Sequence, residues 1–269
     1  MTVAAHFAKG SLAGAVTLKK LEPHPVLLGA LVGPTTHFLP IYVKLLPLRL
    51  RAVEAVCAWL AHEVGLPAPM PAFVSVRKRH TKRLCAWPYG DEEVFECFGT
   101  LEIAPALPLR VVDTTGSDQV DQILMGWRDG LRVGVFDELI ANEDRNRGNI
   151  LIDARRELWI IDHSRALRAG GQRPFSDPFL PFENTLLSRI AKMPASQRHA
   201  KYQQAISACT QIAAAARRIP YDQLGVATDV RSDIERFIDE RAQRLQDLVL
   251  SRLGIDELPH MPNGSGVRH

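Results

Sequence analysis

Asn142 to Ser164, NEDRNRGNILIDARRELWIIDHS, carries the most informative pattern in the chain. Within it, Asn149–Asp153 (NILID) and Leu158–Asp162 (LWIID) are short apolar runs rich in branched and aromatic residues, separated by Ala154-Arg155-Arg156-Glu157. Two such runs around a polar break read as a β-hairpin. A two-residue and a four-residue loop give the same register, in which Asp153 faces Leu158 and, at the open end, Asn149 faces Asp162. Facing residues of an antiparallel pair hold their Cβ atoms roughly 5 Å apart on one side of the sheet. Two oxygen-bearing side chains that close can share one hard cation such as Mg²⁺, which takes one or two protein oxygens and fills its octahedron with water and phosphate. Asp144 lies five residues before Asn149, in the polar loop that enters the first strand, where it is placed to act as a base beside that metal.

Each of these residues also has an ordinary structural account. Asp144 answers Arg145 and Arg147 in a loop, Asn149 suits a turn, and Asp162 suits a helix N-cap. Their joint spacing points to chemistry instead. A base, a metal ligand five residues on, and a second ligand after the next strand is the arrangement that kinase-like phosphotransferases use.

The wording Asp144-Arg145-Asn146-Arg147-Gly148-Asn149-Ile150-Leu151, followed by Ile161-Asp162-His163-Ser164-Arg165-Ala166, resembles the HipA-like kinases, relatives in fold of the phosphatidylinositol kinases. The loop of that family often reads D-R-H-x-x-N, and Asn146 stands here in place of its His. More loosely, the likeness extends from about Tyr42 to Leu167. The resemblance implies an α+β, two-lobed kinase-like fold, with a β-rich small nucleotide-binding lobe over residues 1–113, a mainly helical catalytic lobe over 114–258 and a flexible tail over 259–269. It implies ATP and Mg²⁺ as cofactors, Asp144 as the catalytic base, and Asn149 and Asp162 as metal ligands. A Ser/Thr protein acceptor follows from it. The toxin role and antitoxin partner found in the family are not carried over to this chain.

Upstream, residues from about Val16 to Leu46 read as strands, punctuated by Pro23, Pro25, Gly33-Pro34 and Pro40. Phe38–Leu46 (FLPIYVKLL) is apolar except for Lys44, which strand alternation puts on one face with Tyr42. Residues 51–64 place Val53, Val56, Cys57, Leu60, Ala61 and Val64 on one helical stripe ended by Gly65, with Glu54 at its flank, ten residues after Lys44. A strand lysine paired with a carboxylate on the next helix is how kinases aim the lysine at nucleotide phosphates. The competing accounts are a snorkelling lysine on an edge strand and an exposed Glu54. The turn Gly65-Leu66-Pro67 and the strand Ala72–Val76 add to the family likeness, and Phe95–Ile103 would be the last strand and the adenine-facing hinge. No G-x-G-x-x-G precedes Lys44; the nearest candidate for a phosphate-covering loop is Gly29–Thr36.

Downstream, a helix starts near Thr114 to Ser117, and residues 131–141 put Leu131, Val135, Phe136, Leu139 and Ile140 on a buried face that leads into Asn142. The Gly-, Pro- and Arg-rich stretch 165–181 occupies the place of a kinase activation segment. A helix follows over about Ser196–Arg218, and Ser232-Asp233-Ile234-Glu235 reads as a capping box opening the last helix.

Composition removes several rival classes. The 269 residues are 46% hydrophobic and 23% charged, with a net charge of +3, so nothing compels a nucleic-acid or membrane partner. The four cysteines form no C-x-x-C pair, which favours reduced thiols and a cytoplasmic protein. No run approaches the ~18 apolar residues of a spanning helix. The basic run Arg77–Arg83 lies between strand-like segments and lacks interleaved aromatics, so it reads as a solvated hairpin tip. Three other functional readings stay open, one of them a basic binding protein that uses residues 77–83. A small-molecule kinase of the aminoglycoside or choline type shares the Asp and Asn spacing but usually carries His two residues before the base, where this chain has Asn142. A nucleotide-binding pseudokinase would fit the missing glycine-rich loop.

Overall fold

The computed structural model describes residues 7–20, 23–33, 38–112, 117–169, 175 and 177–255. Five strands whose alternate residues are apolar close on themselves: β1 (Ala8–Lys20), β2 (Val26–Val32), β3 (Leu39–Lys44), β4 (Pro71–Arg77) and β5 (Val94–Leu101). Their order is β1-β2-β3-β5-β4, with β1 and β4 running parallel to shut the barrel and every other pair antiparallel. Leu12, Leu27, Leu31, Ile41, Val43, Ala72, Val74, Val76 and Cys97 fill the interior. Because neighbours in a strand point to opposite faces, Phe73 and Phe98 emerge on the outside, where they join a second core.

β1 begins at Ala8, well before the expected Val16. Its apolar alternation is broken by Gly10 and Gly14, and it is buried only at Leu12, so its pattern is faint in sequence. Close approach explains Gly10, since a Cβ there would lie 2.4 Å from the carbonyl oxygen of Val32.

The second core forms around α1 (Leu48–Glu63), which packs against β4, β5 and the helices that follow. Every residue from Ala52 to Ala61 is buried, in place of the one-sided stripe expected from the sequence. A helix covered on all sides is apolar all round, so the flank position of Glu54 is inside the protein, where it is 1% exposed.

A three-stranded sheet of β6 (Ala106–Pro108), β7 (Ile150–Asp153) and β8 (Leu158–Ile160) lies next in the fold. The remainder is helical: α2 (Leu109–Val112), α3 (Ser117–Met125), α4 (Gly130–Leu139), α5 (Thr185–Ala191), α6 (Ala195–Ala200), α7 (Tyr202–Ala216) and α8 (Thr228–Leu253). The chain is thus mixed α and β, sheet-rich in its N-terminal region and helical in its C-terminal part. The helix expected over 196–218 is interrupted at Lys201, giving α6 and α7. α8 starts at Thr228, so Ser232 is inside the helix and the capping box is not made. The extra turn is held by Arg231, which bonds Asp222 at 2.6 Å and Glu235 at 2.7 Å, and by Val230 against the core.

Pro34–Thr36 of the candidate phosphate loop, Thr114–Gly116 of the expected α3 start, residues 170–174 and 176 of the segment after Ser164, and the tail 259–269 lie outside the described residues. Gly29–Val32 belong to β2, so that half of the candidate loop is strand. Among the described residues no helix is long and apolar enough to cross a membrane.

Candidate active site

The hairpin forms, in a register one residue away from the expected one. Ile150 pairs with Ile160 and Ile152 with Leu158, so Asp153 faces Glu157 and Asn149 faces Ile161. The cause is a three-residue loop, Ala154-Arg155-Arg156. The Asp153 carboxylate accepts from the backbone N–H of Arg155 (2.8 Å) and Glu157 (2.9 Å), and Arg156 closes the turn at φ 63°. Asp162 therefore lies one residue past the ladder rather than opposite Asn149. It takes a left-handed backbone, φ 59°, which Asp tolerates better than most residues. That turn re-aims its side chain, and Asn149 and Asp162 line the same cleft.

The loop before Asn149 is held by Arg145, which pairs with Asp137 and not with Asp144 as the ordinary loop account had it. Arg145 is 2% exposed. Its Nε and one terminal nitrogen reach the two carboxylate oxygens of Asp137 at 3.0 Å each, and its other terminal nitrogen donates to the carbonyls of Asn149 (3.1 Å) and Ile161 (2.8 Å). One guanidinium thus ties α4, the loop and the end of β8 together. Asp137 also accepts from the Asn142 amide at 2.9 Å, and Asn142 accepts from the backbone N–H of Asp144 at 3.2 Å. The signal in sequence was a pair of acids in an apolar helix, Asp137-Glu138 in VGVFDELIA.

Asp144 is oriented by two amides. Asn146 Nδ2 donates to one oxygen at 2.8 Å and Asn149 Nδ2 to the other at 3.1 Å. Asn146, standing where a His was expected, also accepts from Gly148 N–H at 2.7 Å. Asp144 sits just beyond the cleft lining, joined to it through Asn149.

Across the cleft, Lys44 from β3 and Glu54 from α1 form an ion pair, and the same amine donates to Asp162 at 2.9 Å. Glu54 uses its other oxygen to accept from the backbone N–H of His163 at 3.1 Å, locking α1 to the segment after β8. Burial disfavours the Lys44 charge, but Glu54 and Asp162 outweigh it and hold the ammonium above the usual lysine range. For Asp162 burial acts upward, yet the Lys44 charge and the Ser164 hydroxyl (2.8 Å) overcome it and hold the carboxyl well below the usual range. The cleft has a volume of about 610 Å³. Tyr42 faces it on the same side of β3 as Lys44, and its hydroxyl donates to Glu102, just past β5, at 3.2 Å. The wall continues along 102–106, which overlaps the end of the stretch 95–103 expected to hold the hinge and runs past it.

A second buried cluster supports α4 from behind. Arg241 of α8 donates to the carbonyls of Glu138 (2.9 Å) and Leu139 (3.0 Å), the open C-terminal end of the helix that leads into the Asp144 loop. Glu138 in turn accepts from Arg241 at 3.0 Å and Arg252 at 2.7 Å. Spacing in sequence carries no trace of this pairing over a hundred residues.

A family model for HipA-like kinase matches residues 42–250. Among solved structures, the chain is similar to the proinflammatory kinase CtkA of Helicobacter pylori, with a TM-score of 0.52 at 12% identity, over 84% of this chain and 94% of that one. No curated protein matches it by sequence.

Proposed function

This chain belongs to the HipA-like kinase family, and from that premise we propose that it is an ATP- and Mg²⁺-dependent phosphotransferase acting on a serine or threonine of a protein. The observation that carries the reading is the convergence of Lys44, Glu54 and Asp162 in one cleft that Asn149 also lines. On this reading the barrel, to about residue 113, is the small nucleotide-binding lobe, and the helical part to about 258 is the catalytic lobe.

The residues present fit a hard divalent cation. Asp162 is held ionised and Asn149 offers an amide oxygen, both at the cleft wall. Two protein oxygens suit Mg²⁺ shared with phosphates. When bound, Mg-ATP supplies the transferable phosphoryl group, with the cation spreading the charge on its phosphates. Lys44, aimed by Glu54, binds phosphate oxygens; to do so it exchanges part of its contact with Asp162. Asp144, held by Asn146 and Asn149, orients the acceptor hydroxyl and takes its proton. Arg145 keeps the whole loop in place, so most of the work is positioning.

The test is transfer of labelled γ-phosphate from Mg-ATP to proteins of a cell lysate, comparing the chain with Asp162→Ala. Label on a protein band that vanishes in the variant supports the reading. Label reaching only an aminoglycoside or choline acceptor would move the assignment to a small-molecule kinase. Nucleotide binding without any transfer would make it a pseudokinase, and a wild-type chain that binds no nucleotide would sink the proposal.

A further inference from the structure

The β1–β2 connection, one strand before the strand that bears Lys44, joins two strand ends at the rim of the cleft. From the last two residues of β1 onward it reads Lys19-Lys20-Leu21-Glu22-Pro23-His24-Pro25, with no glycine and two prolines. Proline has no backbone N–H, and a loop that cradles phosphate with amides needs those donors and glycine's freedom to present them. The backbone of this connection is therefore a poor phosphate cradle. Side chains are differently placed. β1 and β2 pair Leu18 with Leu27 and Lys20 with Val26, so one residue of β2 is passed by two of β1 and Lys19 is bulged. In a regular strand consecutive side chains point to opposite faces; a bulge re-aims one of them. Here both Lys19 and Lys20 line the cleft. Arg110 of α2 lines it too, lying against Gly148 so closely that a Cβ there would meet the Arg110 side chain at 3.4 Å.

The carboxylates of the cleft wall are all engaged: Glu54 and Asp162 with Lys44, and Glu102 with Tyr42. Among the described residues, Lys19, Lys20 and Arg110 have no carboxylate partner. Three cations thus face a cleft whose acids are already paired. We propose that Lys19 and Lys20 from the bulged end of β1, together with Arg110 beside Gly148, form a side-chain clamp for the polyphosphate of a nucleoside triphosphate, in the role that glycine-loop amides fill in other kinases. The inference rests on the phosphotransferase reading for its ligand, while the clamp itself requires only a polyphosphate.

Two probes separate these. Binding of ATP, adenosine and inorganic tripolyphosphate is measured by calorimetry at two salt concentrations for the wild-type chain, for Lys19→Gln/Lys20→Gln and for Arg110→Gln. Lys82→Gln, an exposed lysine of the β4–β5 connection, is the control, and thermal melts confirm folding. The clamp predicts that the double variant loses roughly 10-fold or more in affinity for ATP and for tripolyphosphate, the usual consequence of deleting charge-assisted hydrogen bonds. It also predicts a shallower salt dependence, with adenosine binding and the Lys82→Gln control unchanged. ATP affinity that is unaltered in both cleft variants overturns the clamp and leaves the kinase reading standing. Tripolyphosphate binding that the variants abolish, in a chain that binds no nucleotide, supports the clamp and sinks the kinase reading. Absence of binding to all three probes overturns both.

Discussion

Arg145 meets three acceptor groups with one side chain, and its cost if removed is set by burial. Breaking a buried, fully hydrogen-bonded ion pair by deleting one partner costs about 3–5 kcal/mol, because the other charge is left without solvent. Arg145→Ala is therefore expected to lower the free energy of unfolding by about that amount, measured by urea denaturation. Arg145→Lys should recover only part of it, since an ammonium cannot fork across both oxygens of Asp137. For Asp144 the expectation is the reverse, a large kinetic effect with little loss of fold. It is part-exposed and its two amide neighbours tolerate its loss, so Asp144→Ala should keep nucleotide affinity and lower phosphoryl transfer about 10²- to 10⁴-fold, the range for a lost general base. Full transfer activity in that variant would remove Asp144 from the role proposed for it. The residues proposed for the chemistry could be picked out in the sequence because their spacing is local: Asp144 and Asn149 are five apart. The adjacent Arg145 could not, because its partners Asp137 and Ile161 are defined only by the folded chain.

Elements decide where those residues point. β3 carries Tyr42 and Lys44 on its cleft side while Ile41 and Val43 fill the barrel, and β5 must lie close beside it. Gly99 permits that approach: a Cβ there would sit 2.8 Å from the Tyr42 carbonyl oxygen, and backbone cannot swing aside as a side-chain tip can. Gly99→Val should cost about 1–3 kcal/mol through overpacking. It should also weaken nucleotide binding more than an equally destabilising change elsewhere, because the displaced strand bears Lys44; titration of a fluorescent nucleotide against both variants tests this. The hairpin shows the opposite limit of sequence reading. Its two strands were visible as branched apolar runs, while its register hung on whether the Asp153 carboxylate would cap a three-residue loop. That choice moves every cross-strand partner by one, and the left-handed turn at Asp162 brings its carboxylate back to the cleft that Asn149 lines.

The molecule as a whole protects its interior with two cores, and its thiols report on both. Cys97 lies in the barrel, Cys57 and Cys209 in the helical core, and Cys85 is partly exposed on the β4–β5 connection. Burial pushes the thiols of Cys97 and Cys209 up to about 12 and that of Cys57 well up. A raised pKa keeps a thiol protonated, so at pH 8 only about 10⁻⁴ of such groups is the reactive thiolate. With Ellman's reagent at pH 8, the folded chain is expected to release colour from about one thiol rapidly and from all four only in guanidinium. Rapid reaction of a second thiol would show that one core opens on its own. Raising the pH should speed the slow phase, because thiolate population rises toward the displaced pKa.

The sequence, read alone, marked out the residues proposed here for the chemistry and the chain segments that hold them. Apolar periodicity, turn residues and the Asp-Asn-Asp spacing are local properties, and Lys44 with its alternation and Glu54 with its helical stripe belong to the same short range. Tertiary structure alone decided which faces are covered and which charges meet. Glu54 became a buried partner of Lys44 because α1 is enclosed between barrel and helices, and Arg241 found Glu138 across a hundred residues of chain. Burial is a property of the assembled whole, and a charge is strongly coupled to another only after both have been taken out of water.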